Sequence, residues 1–426
     1  MLKKNRFIAL AVFFLVACQA AFPQNSSTNT FSPYSIFGLG DPGPKGFTRN
    51  RAMGGISTGV RSSSSINFEN PAALTEQDTL SFMLDFGFGG YSQNLKSEGG
   101  SASNSSFNIQ HFAFSFPVTK WWAASIGVLP YTSVGYKMFN RETDPILLSK
   151  MGDINYINEG EGGISKMYFA TGLKVLPYLH LGVTMNYFFG NITRSNSILF
   201  PTQSVYLDMI SENKLSVSHV NVKFGAQTVK KLEDGQTLIL GVTYEPQLKT
   251  SLRQEIFTRS GGVNSTDTVL YSKDRPKITL PSTLSVGLSY TKKDKLVAGI
   301  DVIYQDWSKA SLPTLGDRFN QTTSVRAGME YTPNRFDLKN YLKHISYRAG
   351  AYYTSPVAKI NNTTINDYGM SFGLGLPFKN TKSSLNLSVE TGQRGTKSNN
   401  LIKENYTLFS VSLIMYDFWF FKPKFN

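Results

Sequence analysis

The sequence predicts an all-β fold, a transmembrane antiparallel β-barrel of about fourteen strands. Three observations carry that expectation: a period-two alternation from Thr79 onward, connections that alternate short and long, and no apolar run long enough for a membrane-spanning helix. In Leu80 to Gly89 the even positions, Leu80, Phe82, Leu84, Phe86 and Phe88, are large and apolar, while the odd ones are mostly small or polar. The same dyad returns at Leu181 to Gly190, Leu284 to Tyr290 and Met370 to Leu376. A soluble sandwich would put Lys, Glu and Thr on its outer face. Here the second face is Gly, Ser, Thr and Asn, which suits a polar lumen and leaves the bulky face for lipid.

Taken in order, the alternation places strands near 79–93, 105–118, 122–137, 163–175, 179–194, 214–230, 236–256, 281–291, 295–307, 320–332, 344–357, 367–378, 383–395 and 405–418. Short turns fall at 119–121, 176–178, 231–235, 292–294, 332–343 and 379–382, and long connections at 138–162, 195–213 and 257–280. That is the order of periplasmic turns and extracellular loops, and it puts both termini in the periplasm. Trp121 and Trp122 at one turn, and Phe418, Trp419, Phe420 and Phe421 after the last strand, stand where an interfacial aromatic girdle belongs.

The chain has 426 residues, a net charge of +14 and a single cysteine, so disulfide scaffolding is excluded. Lys3, Lys4 and Arg6 precede the apolar stretch Phe7 to Ala17, and small residues follow, as in a secretory signal peptide over 1–24. Leu15-Val16-Ala17-Cys18 also reads as a lipobox with Cys18 as lipidation site; the alternative is ordinary cleavage near Ala20 or Ala21. Without the leader's cations the excess is dispersed and contains no basic run, which argues against nucleic-acid binding.

Residues 25–78 are rich in Ser, Asn, Gly and Pro and lack clean alternation, which separates them as a hatch or plug from the barrel at 79–426. Within them, Asn70 is placed to cap a short helix that Pro71 opens and Ala72, Ala73 and Leu74 continue; an ordinary capped turn is the alternative. Such an element fits a lumen lined by Gly and Ser. Arg51-Ala52-Met53-Gly54-Gly55, followed by Asn70-Pro71-Ala72-Ala73-Leu74 and then the first alternating strand, resembles the FadL family of outer-membrane transporters. Tyr416 to Phe421 looks like Bacteroidetes members of that family. The resemblance implies a plugged fourteen-stranded barrel in the outer membrane of a Gram-negative bacterium, with a hatch motif at Asn70, Pro71 and Ala72.

Chemistry is sparse. His111, His180, His219 and His344 lack metal-ligand spacing, and Gly38, Gly40 and Gly43 sit among prolines in a loop, not before a helix. Asp144, Asp153, Glu159 and Glu161 share a loop without calcium-loop spacing, and no nucleophile–base–acid motif appears, so no enzyme and no cofactor is expected. Asp85, Lys223, Glu245, Asp301, Arg326, Glu330, Arg348 and Glu390 fall on the lumen face with mixed signs, as in a network joining hatch and wall.

Two features point to a route. Pro130, after Gly127-Val128-Leu129, removes a ladder donor from the third strand; the resemblance implies a lateral gate there, and a bulge near the rim is the alternative. Leu147 and Leu148, with Leu199 and Phe200, put apolar side chains into outer loops, suited either to capture of a hydrophobic molecule or to packing on one another. The expectation is passive transport of hydrophobic small molecules, long-chain fatty acid-like or aromatic, by a monomer that meets outer-membrane lipid and the barrel-assembly machinery. The alternative is a PorV-like barrel that serves a secretion system as a protein-interaction component.

Overall fold

The computed structural model describes residues 30–202, 205–262, 265–311, 321–337, 339–355, 359–360 and 363–418; residues 1–24, read from sequence as a signal peptide, with Cys18 among them, and Trp419 to Phe421 lie outside these. Fourteen antiparallel strands form a closed barrel. They are β1 (Ser81–Ser97), β2 (Gly100–Pro117), β3 (Trp122–Arg141), β4 (Asn155–Leu176), β5 (Leu179–Leu199), β6 (Asp208–Lys231) and β7 (Gln236–Glu245). The circuit continues with β8 (Thr283–Lys292), β9 (Leu296–Gln305), β10 (Thr322–Tyr331), β11 (Ser346–Thr354), β12 (Asp367–Pro377), β13 (Ser384–Arg394) and β14 (Lys403–Phe418). β14 returns to β1, with Phe418 opposite Ser81 and Lys403 opposite Lys96.

Closure follows from the dyad, because a barrel leaves no unpaired edge in lipid. Along β1 the odd residues from Ser81 to Gly89 are buried toward the lumen and the even ones face outward. Phe169, Met185, Phe224, Val302 and Phe372 are among the outward apolar side chains. No helix among the described residues is long and apolar enough to cross a membrane; the strands make the wall.

The wall is uneven in height. β6 has 24 residues and β8 has 10. At ~3.3 Å per residue the taller strand exceeds a hydrocarbon core of ~30 Å even when tilted. β3 to β6 therefore rise well past the others at the loop end. Arg253–Gly262 extends this tall side by pairing with the upper half of β6, and Ser265–Asp274 pairs onto it in turn.

Here the sequence expectation needs correction. A single strand over 236–256 is not formed: β7 stops at Glu245, before Pro246, which has no N–H to continue the ladder. Leu248–Ser251 then pairs with Lys277–Leu280 as a separate ribbon. The segments 138–162 and 257–280, read as loops, are largely strand, apart from a helix, α1 (Pro145–Met151), capped by the Asp144 side chain on the Ile146 amide.

The plug descends through the lumen. Phe31 N donates to Gln93 Oε1 at 2.7 Å and Ser32 Oγ to Glu404 Oε2 at 2.6 Å, so the described chain begins near the loop end of β1 and β14. It leaves at the turn end, where β1 starts. Both termini were expected at the turn end; Phe418, the last described residue, is there, and the N-terminus itself lies outside the described residues.

Candidate functional site

The plug is built to fit. Asn70 Oδ1 accepts from Ala72 N at 3.2 Å, and its amide donates to Thr58 O at 2.7 Å and Ala226 O at 3.3 Å, so one buried side chain caps a 3₁₀ turn (Pro71–Glu76) and ties it to both plug and wall. Pro71 fixes φ at the first position, and Ala72 is fully buried. Glycines of the wall face this backbone. A Cβ at Gly182 would lie 2.6 Å from Ala72 N, and one at Gly287 2.7 Å from Gly59 N; Gly241, Gly328 and Gly350 are filled by plug backbone in the same way. Any side chain there would push the plug out.

Buried ion pairs then weld plug to wall. Glu330 of β10 takes Arg49 of the plug at 2.9 Å and Arg348 of β11 at 2.6 Å. Glu69 takes Lys223 of β6 at 2.7 Å, and Asp41 takes Arg394 of β13 at 2.5 Å. Asp301 accepts from the amides of Ser57 and Thr58 at 2.6 and 2.8 Å. Breaking one buried pair by removing a partner costs about 3–5 kcal/mol. Several such pairs hold the plug against expulsion as a body, so a route through this barrel must run beside it.

Ladder pairing in the wall breaks off in two places among the described residues: on β6 over 217–223, between the part paired to β7 and the part paired to Arg253–Gly262, and, more extensively, at the seam between β2 and β3. β2 and β3 pair only from Phe112 opposite Val128 down to Pro117 opposite Ala123. Above that point each strand carries a bulge. On β2 the register slips so that Gln110 has no partner on β1, and on β3 it slips so that Tyr131 has none on β4. Pro130 stands beside the second bulge and cannot donate across the seam. The edge of β3 is taken instead by the plug, with Asp41 opposite Ser133, Pro42 opposite Thr132 and Gly43 N donating to Tyr131 O at 2.9 Å. Gly40 makes this approach possible: its φ is +101° and a Cβ would lie 2.7 Å from Ser133 O.

Behind the seam the lumen is apolar. Leu39, Val134, Tyr136, Ile164, Phe188, Ile192, Leu215, Val217, Leu252 and Ile278 form one buried cluster, with Tyr131, Leu280 and Trp307 packed against it. A narrow apolar crevice, about 10 Å³ in volume, runs between Leu39, Tyr131, Phe188 and Leu248. Its side chains close on one another. At its side stands Lys166, 8% exposed, with Nζ 4.9 Å from the Phe68 ring and 5.8 Å from the Tyr131 ring; among the described residues no carboxylate lies within ion-pair distance of it.

The residues singled out from sequence thus separate into groups. Asn70, Pro71 and Ala72 sit at the plug–wall contact, and Pro130 borders the seam. Gly127 lies just below it, opposite Ala113 and Tyr168 in the paired stretch. Leu147 and Leu148 are half-buried on α1, and Leu199 and Phe200 half-buried at the top of β5; neither pair belongs to the apolar cluster behind the seam. Sequence reading missed Asp41, Gln110, Tyr131 and Lys166. Only Asp41-Pro42, beside a run of glycines, carried a local signal, that of a tight backbone approach.

A family model, BamG, matches residues 1–426. No curated protein matches the chain in sequence. Among solved structures, the chain is similar to a Pseudomonas aeruginosa FadL homologue at TM-score 0.60 and 14% identity, over 88% of this chain and 99% of that one. It is similar to the Pseudomonas putida toluene transporter TodX at TM-score 0.59 and 16% identity, over 89% and 98%. The Ralstonia pickettii toluene transporter TbuX gives TM-score 0.56 and 15% identity, over 89% and 99%. At these identities the likeness is one of fold.

Proposed function

The chain belongs to the BamG family, and from that premise and the geometry of the seam we propose that it is an outer-membrane barrel that passes hydrophobic small molecules sideways, between β2 and β3, with the plug as the closing element. The observation that carries this reading is the apolar cluster that ends at the seam. A general porin would line that region with polar side chains and leave it open. Lys166 refines the substrate: a buried ammonium with no carboxylate within ion-pair distance among the described residues, beside an apolar crevice, suits a long-chain carboxylate better than a neutral aromatic. The solved FadL homologue and the toluene transporters, by their names, fit the hydrophobic class. Cells lacking the chain, complemented with it or with an empty vector, are given radiolabelled long-chain fatty acid. Faster uptake with the chain supports the reading, and equal uptake overturns it.

A second reading is favoured by the family itself and by the welded plug. A barrel whose plug is fixed by buried ion pairs is also a rigid platform, and BamG by its name points to the barrel-assembly machinery. On this reading depletion lowers the abundance of other outer-membrane barrels, whereas on the first it lowers only uptake. The two outcomes are separable in one depletion strain.

A further inference from the structure

At the turn end, away from the seam, the plug and the wall line a second, open cavity of about 190 Å³, room for roughly six waters. Its lining is charged. Arg49, Arg61, Lys293, Lys295, Arg335, Arg348 and Lys382 face three carboxylates, Glu76, Asp294 and Glu330, and the serines 62–65 of the plug form one side.

Most of the negative charge is already committed. Glu330 is shared by Arg49 and Arg348, and Glu76 is bound by Arg61 at 3.0 Å. Lys382 is bound to Asp78 at the margin. Nearby on the β10–β11 turn, hydrogen bonds from Lys343 and from the amides of Asn340 and Lys339 hold the Asp337 carboxyl well below the usual carboxylate range, so it too is engaged. What remains is Lys293 and Lys295 on the β8–β9 turn and Arg335 on the β10–β11 turn. Among the described residues their side chains have no hydrogen-bond or ion-pair partner, and only Asp294 stands against them.

We propose that this basin is a docking site for an acidic polypeptide segment, one with carboxylates at successive positions, presented from the side of the membrane that the short turns face. The unpartnered cations argue for a segment over a single small anion. They lie on two neighbouring turns, joined by the bond from Thr332 N to Lys295 O at 2.8 Å, so the uncompensated charge is spread over two segments of chain. A segment with spaced carboxylates meets several of them at once, and Ser63 and Ser65, whose oxygens accept from Lys382 and Arg49, keep their hydroxyl protons to donate to its carbonyl groups. The volume admits one or two side chains and no folded element. This inference is independent of whether the seam transports anything.

The test uses the full-length barrel in detergent micelles and a short fluorescein-labelled oligoglutamate, read by anisotropy. Saturable, salt-sensitive binding is expected, because partly exposed charges are screened beyond about 10 Å at 0.1 M salt. In a Lys293→Asn, Lys295→Gln, Arg335→Gln variant the affinity should drop about tenfold or more. Asn is chosen at 293 because φ there is +49°. Arg335→Gln alone should give a smaller loss, and Arg253→Gln at the loop end none. Absence of saturable binding, or equal binding by the triple variant, overturns the proposal. So does displacement of the peptide by an equal concentration of inorganic pyrophosphate or by anionic lipid micelles, which would make the basin a site for a small anion or a lipid headgroup.

Discussion

Asp41 of the plug is ion-paired to Arg394 on β13 at 2.5 Å, and the same residue stands opposite Ser133 in the two-residue ladder that covers the edge of β3. One carboxylate thus fastens the strap that closes the seam to a wall strand four places away around the barrel, past β2, β1 and β14. Arg394 also reaches Asp367 of β12 at 3.3 Å, so the anchor is shared by two strands of the wall.

Removing that anchor should loosen the strap without unfolding the barrel. In Asp41→Asn, Arg394 keeps Asp367, which places the cost at or below the lower end of the ~3–5 kcal/mol for breaking a buried pair. Cysteines at Pro42 and Thr132, which face each other in the ladder, should cross-link readily in the parent and several-fold more slowly with Asp41→Asn. Equal cross-linking rates would show that the strap is held elsewhere.

Restoring regular pairing should shut the wall. Pro130→Val with Tyr131 deleted removes the proline and the extra residue together and lets β3 continue its register on β4. Uptake of a hydrophobic substrate is expected to fall while heat-modifiable migration in detergent persists. Tyr131→Ala, which keeps the bulge and widens the crevice, should not lower uptake. Unchanged uptake in a correctly folded deletion variant would place the exit elsewhere.

Lys166 should discriminate among substrates. Lys166→Met keeps the apolar stem and removes the ammonium, so affinity for a long-chain carboxylate should drop about tenfold, the scale of one charge-assisted bond of ~1.5 kcal/mol, with little change for the matching alcohol. A tritiated-ligand binding assay on both compounds measures the split. Equal losses would mean that Lys166 serves packing against Phe68 and Tyr131 only.

Asn70→Ala should free the plug turn. It removes the cap and two further hydrogen bonds from a fully buried position, at a cost of about 2–4 kcal/mol. Amide exchange over 72–77 should speed up accordingly, while the barrel's own unfolding temperature stays within a few degrees. Exchange unchanged from the parent would show that the wall glycines alone hold the turn.

A barrel of fourteen strands was legible in the sequence alone, and so was the outward face of the strands where alternation is clean, though not where the strands end at the loop side. Those are consequences of a period of two, and a period is written locally: Phe82, Leu84, Phe86 and Phe88 face outward whatever lies across the sheet. The sequence also determined that Asn70 and Pro71 open a short turn, since a cap joins neighbours in the chain. Pro130 announced a defect in β3 for the same reason, a missing donor being a property of one residue. What the defect meant was decided by the tertiary structure, because only there does the bulge at Tyr131 come level with the one at Gln110, and only there does Asp41, 90 residues earlier, lie along the open edge. Likewise the mixed charges of the lumen could be read from alternation, but the partners could not. Glu330 meets Arg49 across 281 positions of chain, and which carboxylates are spent, and hence that Lys293, Lys295 and Arg335 are left over, depends on how deep the plug sits. Pairings at such separations are set by closure of the whole barrel around its plug, a condition that no local window of sequence contains.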